Sequence, residues 1–125
     1  MAKIRGVYKC NVCGNVVEVL HSGGGTLVCC GEDMHLFTAK NMDEGVEKHL
    51  PVVEKDDQFI HVRVGEVLHP MEDTHYIEWI EIMADGQSYQ QFLNPGDKPE
   101  ATFCLSAPTY LIRAYCNVHG LWEKE

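Results

Sequence analysis

Basic residues are scarce in this sequence: 10 lysines and arginines stand against 19 aspartates and glutamates, a net charge of −9 over 125 residues. No run of them builds the positive face that phosphate binding needs, so nucleic acid is excluded as a partner. The same field disfavours a small anionic substrate unless a local positive charge overrides it. Long apolar runs are missing too. No stretch approaches the ~18 apolar residues of a membrane span, and "MAKIRGVYKC" at the start lacks the apolar segment of a signal peptide. The expectation is a cytoplasmic protein with no membrane association. Also absent are a long amphipathic helix pattern, an internal repeat and a low-complexity tract.

What the chain does have is soft and borderline metal-ligand chemistry: six cysteines (Cys10, Cys13, Cys29, Cys30, Cys104, Cys116) and seven histidines. In a secreted chain of this size the cysteines would read as three disulfides. Without a signal peptide, and with the histidines present, metal ligation is the better reading.

Two regions differ in composition. Residues 1–37 are rich in cysteine and glycine, with only short apolar pieces such as "VVEVL" and "TLV". A segment that small usually needs a metal or disulfides to fold. Residues 38–50 have no clean periodicity and read as a linker with a turn, whose His-Leu-Pro ending biases the chain toward extended structure. From Pro51 onward short apolar segments alternate with turn signals: "PVVEK" and "FIHVRV" around "DDQ", then "HYIEWIEIMA" and "QSYQQFL" around Asp85-Gly86. After the "NPGD" turn come "EATFCLS" and "YLIRAYC". Asp-Gly between alternating segments is a hairpin signal because both residues tolerate positive φ. About seven short strands in this region predict an antiparallel β-sandwich of immunoglobulin-like size over 38–125.

The first candidate metal set is Cys10-x2-Cys13, followed fifteen residues later by Cys29-Cys30. The first pair has ordinary clip spacing. The second pair is adjacent, and neighbouring Cβ atoms diverge, so both sulfurs reach one metal only by distorting the tetrahedron or the backbone. Zinc and iron both accept four thiolates in a tetrahedron, so spacing leaves both open, with iron favoured by the unusual second pair. A disulfide between Cys29 and Cys30 would leave Cys10 and Cys13 without partners.

The second set begins with Cys116 and His119 in "AYCNVHGLW". His49, His69 and His75 lie where loops meet strands, and loops at one end of a sandwich converge from distant sequence. His21 and His35 read as solvated, and His61 as a surface residue opposite the apolar face of its strand. Four imidazoles and one thiolate make five ligands. That count exceeds the four of structural zinc. It suits ferrous iron in a square pyramid, with the sulfur axial and the sixth position open to a small ligand.

The segments "YKCNVCGNVVEVL", "LVCCGE", "EKHLPV", "HPMEDTHYIEWIE" and "YCNVHGLW" together resemble desulfoferrodoxin, the two-iron superoxide reductase family, from about Val7 to Trp122. The resemblance implies a desulforedoxin-like, rubredoxin-type N-terminal domain (1–37) with a four-cysteine iron. It implies an immunoglobulin-like domain (38–125) carrying the catalytic iron on His49, His69, His75 and His119 with axial Cys116. The implied activity is one-electron reduction of superoxide to hydrogen peroxide, with rubredoxin or a similar carrier as donor, in a cytoplasmic homodimer. Within "EKH" the resemblance assigns Glu47 to the sixth position in the oxidised state and Lys48 to the attraction of superoxide. Cys104 falls outside the implied ligand set and is expected to be a buried, apolar-like strand residue.

Three rival readings stay open at the level of sequence. A pure electron carrier has no need of an open coordination position. A zinc-ribbon binding module would be colourless, and a superoxide dismutase would also evolve oxygen.

Overall fold

Apolar residues at every second position set the strands, and the computed structural model describes residues 2–42 and 45–125 of the chain. It divides into two compact units, Met1–Thr38 and Ala39–Glu125.

In the first unit β1 (Val7–Lys9) lies between β2 (Val16–Glu18) and β5 (His35–Leu36), antiparallel to both. A second ribbon pairs β3 (Val28–Cys29) with β4 (Glu32–Asp33). Its buried apolar side chains are few, chiefly Val7, Tyr8, Cys10 and Val19. At ~1.5–3 kcal/mol for each large apolar side chain, so small a core falls short of the ordering cost of the segment. The unit needs the cross-link that a metal supplies.

The second unit opens with one helical turn, α1 (Val46–His49), inside the stretch read from sequence as a linker. Two residues of that stretch, Asp43 and Glu44, lie outside the described residues. Leu50 is extended (φ −72°, ψ 121°), as its position before Pro51 requires. Seven strands follow: β6 (Pro51–Lys55), β7 (Ile60–Val64), β8 (Ile77–Ala84), β9 (Gln87–Phe92), β10 (Glu100–Phe103), β11 (Leu111–Cys116) and β12 (Gly120–Lys124). They form two antiparallel sheets, ordered β10-β7-β6 and β12-β11-β8-β9. Ile60, Val62, Val64, Ala101 and Phe103 of one sheet and Ile77, Ile80, Ile82, Ile112 and Ala114 of the other meet in a single core. This is the expected immunoglobulin-like sandwich. The hairpin turn is at Asp85 (φ 52°) and Gly86 (φ 74°).

On the other face of the four-stranded sheet, buried Glu81 accepts from Arg113 Nε at 2.7 Å and from Gln90 Nε2 at 2.9 Å. The pair ties β8, which His75 closely precedes, to β11, which ends in Cys116. Cys104 departs from expectation. It is exposed, one residue past β10. Ala101 and Phe103 take the inward positions opposite Val62 and Ile60, so strand alternation turns Cys104 outward.

Candidate metal centres

In the first unit the four sulfurs of Cys10, Cys13, Cys29 and Cys30 converge. Cys13 Sγ is 3.6 Å from Cys29 Sγ, and Cys29 Sγ is 3.9 Å from Cys30 Sγ. Four thiolates at about 2.3 Å from one metal in a tetrahedron are about 3.8 Å apart, so the set fits a metal centre. A Cys29–Cys30 disulfide is ruled out, because bonded sulfurs lie about 2.05 Å apart. The difficulty of adjacent cysteines is solved in the backbone. Cys30 adopts φ 54°, in the left-handed region, and this swings its sulfur back toward that of Cys29.

The thiols are unequal. The backbone N–H of Cys13 donates to Cys10 Sγ at 3.4 Å and holds the Cys10 thiol down at about 6. Competition with Cys13 and Cys29 pushes Cys30 up to about 12. Four thiolates cannot coexist there without a cation, and loading a metal releases the remaining protons.

In the second unit His49, His69, His75, His119 and Cys116 bring one donor atom each within 4.8 Å of one another. The imidazoles form a closed ring. Centroids of His49–His69, His69–His75, His75–His119 and His119–His49 lie 4.6, 4.7, 5.1 and 4.8 Å apart, each pair steeply inclined. Cys116 is wholly buried and His119 is exposed, so the site is closed at the sulfur and open along one edge of the ring.

Local structure aims each ligand. Gly45 caps α1 in the left-handed conformation (φ 83°), and its carbonyl accepts the His49 Nδ1–H at 2.8 Å. The Pro70 carbonyl accepts the His69 Nδ1–H at 2.7 Å. A carbonyl can only accept, so both protons sit on Nδ1 and both Nε2 atoms carry lone pairs. Those lone pairs face each other across 3.1 Å. Burial lowers the proton affinity of both rings, that of His69 to about 4, so no proton bridges them at neutral pH. His119 Nδ1 is also 3.1 Å from His49 Nε2, and buried His75 Nε2 has no hydrogen-bond partner. Imidazole nitrogens about 2.1 Å from one ion and at right angles are about 3.0 Å apart. A cation among them removes the lone-pair repulsion and satisfies the orphaned nitrogen.

Cys116 ends β11, and the β11–β8 register shifts between Tyr115 and Cys116, so that Cys116 pairs with Ile77. Burial raises its thiol, while the His119 N–H at 3.4 Å favours the thiolate that a metal would take. Gly65 lets the loop before His69 pass close to α1: a Cβ there would meet the Glu47 carbonyl at 2.8 Å. The same carbonyl accepts the Val67 N–H at 2.9 Å.

Both donor sets thus match the two-iron arrangement expected from sequence. Glu47 and Lys48 are exposed on α1. Glu47 lines a cavity of about 480 Å³ with Val46, Tyr110 and Lys124. Burial first and the charge of His119 next lower His75; Glu72 opposes this, and Lys48 adds a smaller lowering. His21 and His35 are exposed, and His61 bonds Thr102 Oγ1 at 2.7 Å, outside the site.

Three supporting residues escaped the sequence reading. Asn117 Nδ2 donates to the Thr74 carbonyl at 3.1 Å and its Oδ1 accepts the Tyr76 N–H at 2.9 Å, clamping both neighbours of His75. Its place inside the Cys116–His119 clip was the available signal. Trp122 stacks on His49 at 4.8 Å and 17°. Lys40, distant in sequence, donates from Nζ to the His119 carbonyl at 3.2 Å. Nothing in its local sequence marks it.

Residues 2–37 match the family model described as desulfoferrodoxin, N-terminal domain, and residues 41–125 that described as desulfoferrodoxin. Desulfoferrodoxin of Nitratidesulfovibrio vulgaris is 57% identical over 119 residues, covering 95% of this chain and 94% of its own. That of Syntrophotalea carbinolica is 54% identical over 125 residues, covering 100% and 99%. Desulforedoxin of Megalodesulfovibrio gigas is 71% identical over 34 residues, 27% of this chain and 92% of its own. Among solved structures, the superoxide reductase from Treponema pallidum superposes with a TM-score of 0.78 at 27% identity, over 96% of this chain and 97% of that one. The matches to both halves and the near full-length identity agree with the two donor sets: the chain belongs to the desulfoferrodoxin family.

Proposed function

We propose that this protein is a superoxide reductase, converting superoxide to hydrogen peroxide by one electron at the His49, His69, His75, His119 and Cys116 site. The observation that carries the proposal is the donor geometry: a ring of four imidazoles, a buried thiol, and an exposed edge at His119. Five donors leave room for one small ligand, which structural zinc and pure electron carriers do not need. The Treponema pallidum structure supports the same reading.

Iron bound there supplies the single electron. The chain's own residues do the rest. The Gly45 and Pro70 carbonyls fix the tautomers of His49 and His69, so their lone pairs stay aimed inward. Four neutral imidazoles and one thiolate leave ferrous iron with a charge of +1, a local exception in a chain at −9. Lys48 adds positive charge beside His75 and draws the anion in. Glu47 would supply the carboxylate that binds the iron in its oxidised state. Glu47 also lines the neighbouring cavity, with Val46, Tyr110 and Lys124.

We assign the four-cysteine iron to the domain read from sequence as 1–37, and the reaction to the domain read as 38–125. We extend the proposal to a rubredoxin-like donor, a homodimer and a cytoplasmic setting. Reduced, iron-loaded protein mixed with one equivalent of superoxide tests the activity. The expected products are hydrogen peroxide in a one-to-one ratio and one oxidised second-site iron. Oxygen evolution with half as much peroxide would instead identify a dismutase.

A further inference from the structure

Lys40 lies far in sequence from every ligand of the second site except His49, yet it touches two supports of that site. Its Nζ donates to the main-chain carbonyl of His119 at 3.2 Å, at the exposed end of the Cys116–His119 clip. The same ammonium lies 5.6 Å from the centroid of the Trp122 ring. Trp122 is 1% exposed and its ring is stacked almost parallel on His49. The Trp122 ring thus contacts both the Lys40 ammonium and the His49 imidazole, and its face attracts the charge. The backbone of Lys40 is held as well: its N–H donates to Leu121, and its carbonyl accepts from Glu123, both at 2.9 Å. These bonds register Lys40 beside Trp122 in a parallel bridge.

We infer that Lys40 is a positioning residue for the five-donor site, steadying His119 through its carbonyl and His49 through Trp122, and supplying a fixed positive charge near the site. Two consequences follow. A charge held near the site favours the reduced, less positive iron and so raises its midpoint potential. A grip on the exposed clip slows escape of the metal.

This inference rests on reading the five donors as an iron site, and the experiment separates the two. Full-length wild type, Lys40→Met and Lys40→Arg are loaded with iron. The midpoint potential of the second-site iron is titrated spectroscopically at low and high salt, and loss of iron to a chelator is timed. Lys40→Met should lower the potential and lose iron several-fold faster, and Lys40→Arg should restore both. The potential gap between wild type and Lys40→Met should narrow as salt rises, which a purely structural role would not produce. Identical potentials and release rates in all three proteins would overturn the inference, and so would an Arg variant that behaves like Met. If Lys40→Met takes up no iron at this site, normal loading of Lys40→Arg supports positioning, and failure of both variants overturns it. Absence of a thiolate-to-iron absorption in wild type would instead defeat the iron reading itself.

Discussion

A neutral imidazole offers one donor and one acceptor, and at His49 and His69 a backbone carbonyl decides which nitrogen is which. Once both Nδ1 protons are committed, the inward nitrogens can only act as acceptors, of a cation or of a hydrogen bond. At Lys48 a single exposed charge has to oppose the field of the whole chain. Lys48→Ile is expected to slow the bimolecular encounter with superoxide about tenfold or more and to leave neutral-ligand binding unchanged. The wild-type rate should fall with salt, because screening limits an exposed charge to about 8 Å at physiological ionic strength. The variant should lose or reverse that dependence. Pulse radiolysis across a salt series measures both, and parallel slopes at equal rates would remove Lys48 from the mechanism. For Glu47, replacement by Ala should alter the ferric charge-transfer spectrum as solvent takes the vacated position. A spectrum unchanged across pH would exclude the carboxylate from the coordination sphere.

At the scale of elements, one helical turn does the work of a ligand arm. Gly45 sits at φ 83°, where an L side chain costs about 1–2 kcal/mol. A Cβ there would also press on His49 Nδ1 at 3.3 Å. Gly45→Ala should therefore lower both stability and second-site iron content, while the four-thiolate absorption stays intact. Metal analysis with the visible spectrum checks this; full second-site loading would show that the turn tolerates the change. The strands were legible because their alternation is strong: Ile60, Val62 and Val64 point inward, while His61 and Arg63 between them do not. The turn at α1 was not legible. Four residues carry too little periodicity to separate a helix from a linker, and its cap is a glycine conformation with no side-chain signal. β12 was missed as a strand because its short sequence follows directly on the metal clip, and only pairing with β11 defines it.

Across the whole molecule the two donor sets share no residue. Cys13→Ser should abolish the four-thiolate iron and loosen the first unit, with the second-site iron retained. Loss of both irons together would sink the two-site reading. The metal-free protein should also be acid-sensitive in a defined window. Burial lowers His69 from about 6.5 to about 4, with His49 and His75 lowered in the same direction. The unfolded chain then binds protons before the folded one, so stability is full above about pH 6.5 and falls as pH drops toward 4. Urea midpoints of chelator-treated protein over that range test the sign; a midpoint independent of pH would contradict it.

The identities of the donors were readable in the sequence because metal chemistry restricts them to cysteine and histidine at strand ends and in tight clips. Cys10, Cys13, Cys29 and Cys30 announced themselves by local spacing, and Cys116 with His119 did the same. Three-dimensional folding alone decided how those donors meet. The left-handed backbone at Cys30 makes two adjacent sulfurs compatible with one centre, and the ring order of the imidazoles depends on loops separated by dozens of residues. Cys104 turned outward because the inward positions of β10 were already taken by Ala101 and Phe103. Asn117, Trp122 and Lys40 entered the site for the same reason. Their roles depend on what lies beside them across strands, and neighbours across strands are set by packing, which the linear order of residues does not carry.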